Sequence, residues 1–170
     1  VRSVEDGSLV DRPVEVVAES MDAVMKGGYA HFMAKEIHEQ PQVARELLHL
    51  LAASADVAPL VEQMRSARHL YLVGCGTSFH AAMVAKYFIE QICRLPCWVE
   101  IASEYRYRDP VVPKNTLFVS VSQSGETADT LAALRMAKQA GYLSQLAICN
   151  VPESSLVRES ELVMLTRAGP

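Results

Sequence analysis

The sequence predicts a three-layer α/β/α sandwich on a mostly parallel sheet of about five strands, and three observations carry that expectation. Five short runs, HLYLVG, CWVEI, TLFVSV, QLAICN and ELVMLT, are apolar on consecutive residues rather than alternate ones, as expected for strands covered on both faces. Segments of helical period separate them. Two of the strand-to-helix switches, GCGTSFH and SQSGET, are rich in glycine and hydroxyls. Half of the 170 residues are hydrophobic, enough for one good core.

Taken in order, residues 1–28 differ in character from the rest of the chain. VEDGSLV and RPVEVV suggest short strands around a turn, and KGGY, Lys26 to Tyr29, reads as a flexible joint. Residues 29–56 form a helical lead-in. Pro41 suits a first helical turn, so HFMAKEIHEQ and PQVARELLHLL are expected as two helices meeting at Gln40, the second burying Val43, Leu47, Leu50 and Leu51. The main domain occupies 57–170. It opens with a short helix near Ala58–Ser66 and alternates the five strands with helices at about Ser78–Cys93, Ser103–Arg108, Thr127–Ala140 and Ser154–Ser160. Gly141 stands where a left-handed helix stop is wanted.

Composition excludes several classes of function. A formal net charge of -4 with no Lys/Arg-rich run gives no footprint for nucleic acid. No stretch approaches the roughly 20 apolar residues of a membrane span, and the N-terminus does not read as a signal peptide, so a cytoplasmic protein is expected. Cys75, Cys93, Cys97 and Cys149 fit neither a disulfide framework nor paired zinc ligands, and reduced thiols with no metal are expected. The histidines, His31, His38, His49, His69 and His80, form no metal-binding pattern and read as surface or packing residues.

In a parallel sheet ligands bind beyond the carboxyl ends of the strands, which directs attention to the two loops. Gly74-x-Gly76 with Glu100 further on suggests a dinucleotide fingerprint, but Phe79 occupies the third glycine position, where close helix–strand packing is required, and no cofactor is expected. There remain Thr77 and Ser78 at a helix N-terminus, an anion site with two hydroxyl donors. In the second loop Ser122, Ser124 and Thr127 bring hydroxyls, Gln123 an amide, and Gly125 the freedom to aim backbone N–H groups. Helix capping explains either loop alone; two such loops on one sheet edge favour a binding role. A Walker lysine is missing, so uncharged donors and helix dipoles point to a phosphate monoester on a neutral polyhydroxylated body, such as a sugar phosphate. Cys75 reads as a packing residue rather than a nucleophile, and Glu100 and Glu104, with the basic EYRYR segment, as a solvated or ion-paired face rather than the mouth of the site.

CGTS at Cys75–Ser78 and SQSGETADT at Ser122–Thr130 resemble the sugar isomerase (SIS) domain family. HFMAKEIHEQP, EIASEYRYRDP and LAICNVPESSLVRES resemble, within it, the first isomerase subdomain of the glutamine:fructose-6-phosphate aminotransferase family, over about Lys26–Pro170. The resemblance implies that Thr77, Ser78, Ser122, Gln123, Ser124 and Thr127 hold the phosphosugar. It implies a parent enzyme that makes glucosamine 6-phosphate from glutamine and fructose 6-phosphate, with homodimer contacts. Residues 1–28 would then be the tail of a glutaminase-like domain and its linker. The family's general base, ring-opening histidine and C-terminal lysine have no counterpart in these 170 residues, so the expectation is a fragment that binds fructose 6-phosphate or glucosamine 6-phosphate without turnover. The alternatives are a stand-alone SIS-domain sugar-phosphate sensor and a plain dimerisation module.

Overall fold

Each of the five apolar runs forms a strand of a single parallel sheet: β1 His69–Gly74, β2 Cys97–Ile101, β3 Thr116–Ser122, β4 Ser144–Cys149 and β5 Leu162–Leu165. The structure, a computed structural model, describes residues 25–53 and 57–169. These residues fall in two units, one ending at Glu39 and taking in Gly169, the other Gln40–Ala168. The strands expected at VEDGSLV and RPVEVV lie outside the described residues.

In the first unit the Lys26–Tyr29 turn is closed by Tyr29 N–H donating to the Lys26 carbonyl at 3.0 Å, and Tyr29 stacks on His38. Helix α1 spans Phe32–Ala53, and the unit boundary falls within it. Two helices meeting at Gln40 were expected, but the helix continues through Pro41. The proline cannot donate to the Ile37 carbonyl, yet Ile37 and Pro41 are both exposed, so water can serve that carbonyl and the break is avoided. The face expected to be buried is only half covered: Val43, Leu47 and Leu51 are half-buried and Leu50 is 44% exposed.

Helix α2, Val57–Ser66, leads into β1, and α3, Gly76–Phe88, follows it. The helix starts two residues earlier than the sequence suggests because Gly76, at φ 54°, is its first residue, and it widens into a π turn over Ile89–Cys93 that Arg94 ends in the left-handed region. Short α4, Ala102–Tyr105, follows β2; α5, Ala128–Ala137, follows β3; and α6, Ser155–Glu159, follows β4. Past α5, Gly141 takes φ 79°, the left-handed stop read from the sequence.

Both faces of the sheet are packed, which is why the strands read as apolar throughout. One face sets Tyr71, Val73, Phe118 and Ala147 against Tyr105, Leu134 and Leu156 of the helices. The other sets Leu70, Leu72, Leu117, Val119 and Leu146 against Leu60 and Ala82. Each fully buried large side chain contributes about 1.5–3 kcal/mol. In α5 the inward residues are Thr130, Leu131, Ala133, Leu134 and Ala137. Ala128, which opens the helix, is exposed.

The strand order is β2-β1-β3-β4-β5. From β1 the chain steps to one side to make β2, then crosses to the other side for β3 and continues outward. The reversal lies between β1 and β3, and at such a switch point the loops diverge and leave a crevice at the carboxyl edge. The two hydroxyl-rich loops leave these two strands.

Candidate functional site

The site is built from the backbone first. Gly74 pairs with Val121, so β1 and β3 end side by side. A Cβ at Gly74 would lie 3.1 Å from both the Val121 carbonyl oxygen and the Phe79 nitrogen, so a side chain there would press the first turn of α3 and the end of β3 apart by a few tenths of an ångström. The first intrahelical bond of α3 joins Phe79 N–H to the Cys75 carbonyl; that of α5 joins Leu131 N–H to the Thr127 carbonyl. The amides of residues 76–78 and 128–130 therefore precede any intrahelical acceptor, and the positive ends of both helix dipoles lie at the switch point.

The side chains sort into two groups. Ser122 is buried and its Oγ accepts from Gly125 N–H at 3.0 Å; Ser124 is exposed and its Oγ accepts from Glu126 N–H at 3.2 Å. These two hydroxyls shape the loop. Thr77 and Gln123 are exposed, Ser78 and Thr127 half-buried, and no side-chain hydrogen bond engages them among the described residues. Thr127 is the N-cap of α5 by position yet makes no side-chain cap bond, and the N-cap of α3 is Cys75, which makes none either. Helix capping thus does not account for Thr77, Ser78 or Thr127. The six residues singled out from the sequence all lie where β1 and β3 turn into α3 and α5: Ser122 ends β3, Gln123, Ser124 and Thr127 follow it before α5, and Thr77 and Ser78 stand in the first turn of α3.

The second loop is held from behind. Asn150 N–H donates to the Gln123 carbonyl at 3.2 Å and Leu156 N–H to the Gly125 carbonyl at 3.0 Å, while Ser155 N–H donates to Glu126 Oε1 at 2.6 Å. The bond from the Ser155 amide holds the Glu126 carboxyl below its ordinary range. Gly125, at φ 65°, leaves no room for a side chain: a Cβ there would fall 2.1 Å from Ser154 Oγ. Asn150, Ser154 and Ser155 were not singled out from the sequence. Their signal is positional: CNVPESS leaves the carboxyl end of β4, which neighbours β3 on the same edge.

The remaining candidates are accounted for by their partners. Cys75 packs against the core with the Thr130 hydroxyl 4.0 Å from its Sγ, and the ring Nδ1 of His80 lies 2.8 Å from the Gly76 carbonyl oxygen rather than on the thiol. Glu100 accepts from the Tyr71 hydroxyl and pairs with Arg108 at 2.9 Å; burial, then Glu100, pushes the Tyr71 phenol up to about 12. Glu104 is exposed. Arg106 pairs with Asp129 at 2.5 Å, offsetting the one acidic side chain in the first turn of α5. No group of three or more His, Cys, Asp or Glu able to hold a metal occurs among the described residues, and none of their helices is long and apolar enough to cross a membrane. Two apolar hollows lie elsewhere, one of about 350 Å³ among Leu47, Leu51, Leu60 and Met164 and one of about 210 Å³ against Leu72, Ala85 and Val119. Residues 122–127 line neither.

The chain is 54% identical over 171 residues to a glutamine–fructose-6-phosphate aminotransferase (isomerizing) of Pseudomonas syringae pv. tomato, covering 97% of this chain and 28% of that protein. It is also 54% identical over 167 residues to the protein of the same name from Legionella pneumophila, covering 95% of this chain and 28% of that one. The chain thus spans 28% of the length of these relatives. Among solved structures, the C-terminal domain of glucosamine-fructose-6-phosphate aminotransferase from Francisella tularensis is 53% identical and superposes with a TM-score of 0.79 over 86% of this chain and 42% of that one. The SIS domain matches residues 63–170, which include the whole sheet and both loops of the switch point, and the chain belongs to the SIS domain family.

Proposed function

We propose that this chain is the phosphosugar-holding part of an isomerising glutamine–fructose-6-phosphate aminotransferase, and that its two loops grip the phosphate of fructose 6-phosphate or glucosamine 6-phosphate. The observation that carries the reading is the pair of helix N-termini at the β1/β3 switch point, where residues 76–78 and 128–130 present amides without intrahelical acceptors. Thr77, Ser78, Gln123 and Thr127 add neutral donors, and Ser124 a hydroxyl. An anion bound there gains charge-assisted hydrogen bonds without burying a compensating cation. The names of the relatives support the choice of a hexose phosphate over other phosphate monoesters. In this reading the groups that release ammonia and move the C1–C2 proton come from the rest of the relatives' length, and the chain alone binds without turning over. Dimer contacts through this domain and a cytoplasmic location belong to the same proposal.

Titration of the 170-residue chain with glucosamine 6-phosphate, followed by amide NMR, tests it. Shifts concentrated at residues 76–78 and 122–130 are expected, with Ser124→Ala weakening binding by about 1.5–3 kcal/mol through loss of a hydrogen bond to a charged group. Unmoved amides in both loops, or an unchanged dissociation constant for the variant, would refute the reading.

A further inference from the structure

Asn150 joins two parts of the fold that are far apart in sequence. Its N–H donates to the Gln123 carbonyl at 3.2 Å, inside the second loop, and Cys149 Sγ lies 3.6 Å from the same oxygen. Its side chain faces a different segment: Oδ1 accepts from the Thr166 hydroxyl at 3.0 Å and from Ala168 N–H at 2.6 Å. Thr166 N–H in turn donates to the Cys149 carbonyl at 2.9 Å. The residues just after β5 are therefore tied through one half-buried amide to the carbonyl of Gln123.

Two features make this a linkage rather than an incidental contact. The loop from Ser122 to Thr127 has little freedom to move without its backing, since Gly125 is lodged against Ser154 and Cys149, and the Leu156 and Ser155 amides hold Gly125 and Glu126. A displacement of the loop must therefore be passed to residues 149–156. Among these, Cys149 and Asn150 are both bonded to the loop and to the segment after β5, and Asn150 reaches that segment through its side chain, which also holds Ala168 N–H. A carbonyl that accepts from Asn150 also polarises its own peptide unit, so the strength of that bond responds to what the neighbouring Ser124 amide donates to.

We propose that Asn150 is a positioning residue that couples occupancy of the cradle to residues 166–168. The proposal rests on the reading of the two loops as a phosphosugar site, and deepens it: ligand held by residues 122–127 is felt by the segment that follows β5. The coupling runs both ways, because a linkage between two sites is reciprocal. Order at residues 166–168 would likewise favour ligand.

The experiment uses the 170-residue chain, glucosamine 6-phosphate as the probe, and amide NMR with hydrogen exchange. In the unsubstituted chain, ligand is expected to shift amides at 122–127 and also at Asn150, Thr166 and Ala168. Asn150→Ala removes a side-chain acceptor of two hydrogen bonds but keeps the backbone bond to Gln123; the ligand shift at Ala168 is expected to vanish and that at Thr166, whose N–H still reaches the Cys149 carbonyl, to shrink, Ala168 N–H to exchange faster, and affinity to fall on the order of three- to tenfold, about what one hydrogen bond is worth. Asn150→Asp keeps an acceptor oxygen and is expected to restore the shifts at Thr166 and Ala168. Thr166→Val, which removes one donor and leaves the Asn150 backbone untouched, should halve the effect and serves if Asn150→Ala does not fold. Shifts at 122–127 with residues 166–168 unmoved would overturn the coupling while leaving the binding site intact. Unmoved amides at 122–127 would overturn both. Propagation to Ala168 that survives Asn150→Ala in a folded chain would also overturn the assignment.

Discussion

Gly125 offers a separable test of how tightly the second loop is built, because two different costs meet at one residue. Its φ of 65° is a conformation that a residue with a Cβ adopts at roughly 1–2 kcal/mol. In addition, the Cβ of an alanine there would fall 2.1 Å from Ser154 Oγ, 2.4 Å from Ser154 Cβ and 2.8 Å from Cys149 Sγ. Ser154 Cβ is fixed to the backbone, and Ser154 and Cys149 are both buried, so rotating their side chains does not clear the space. The neighbours must shift, and overpacking of that kind costs about 1–3 kcal/mol. Gly125→Ala is therefore expected to destabilise by about 2–5 kcal/mol, the two costs together. Gly141 supplies the control: its φ is 79° and nothing lies within 4 Å of a Cβ built there, so Gly141→Ala should show the conformational cost alone, about 1–2 kcal/mol. Urea unfolding followed by circular dichroism measures both, with equal m-values as the check that the same transition is compared. The difference between the variants isolates the close approach. If Gly125→Ala proves no worse than Gly141→Ala, the loop is not packed tightly against Ser154, and the backing assigned to the cradle fails with it.

Ion pairing and thiol burial give further expectations. Arg135 donates two hydrogen bonds to Glu159, at 2.6 and 2.8 Å, and this partner, first among the causes, holds the Glu159 carboxyl below its ordinary value of 4.5. A depressed carboxyl stabilises the fold above its unfolded value and loses that contribution as pH falls through the folded one. Arg135→Gln should thus lower the thermal midpoint by about 1–2 °C near neutral pH, a small effect because the pair is largely exposed, and the difference from the unsubstituted chain should begin to shrink as pH falls below 4.5 and close once the folded carboxyl is protonated. A midpoint difference that persists in acid would contradict the pairing. Thiol labelling with a disulfide reagent should be graded: Cys93 is exposed and reacts first, whereas Cys97 and Cys149 are buried and wait for unfolding. Burial also pushes the Cys97 thiol up to about 11, which keeps it protonated at the pH of the assay. Prompt labelling of Cys97 in the folded chain would count against its placement.

The strands were legible because burial on both faces leaves a continuous apolar signature, and the runs ending at Gly74 and Ile101 match their strands to the residue. The two strand-to-helix switches proposed as the cradle were legible for a related reason: hydroxyls and glycines interrupt an apolar run where the chain turns from strand to helix. Features that depend on distant neighbours were not legible. Pro41 stays inside α1 where both it and Ile37, whose carbonyl loses its helical donor, are exposed residues, and exposure is not a local property. The half-covered face of Val43, Leu47 and Leu51 has the period of a buried one, and period alone does not report how much is packed against it. Neither the order of the strands nor the role of Asn150 was readable, since Asn150 acts on residues 27 positions before it and 16–18 after it.

Glu126 bears on how the proposed site would separate binding from chemistry. A carboxylate inside an anion-binding loop would repel a phosphate if it faced the same way as the loop amides. Here it is turned onto Ser155 N–H at the start of α6, where Ser154 is the N-cap, so its charge serves to hold the loop to its support. The other acidic groups near the switch point are similarly engaged: Asp129 with Arg106, Glu100 with Tyr71 and Arg108. A general base must be within reach of the proton it takes and not already committed to a stronger partner. Groups so committed make the loops rigid and leave the switch point to neutral hydroxyls and amides. That arrangement suits a receptor for one charged group on a neutral sugar, and it makes the proton-transfer step the part of the proposed reaction that these residues are least equipped to perform.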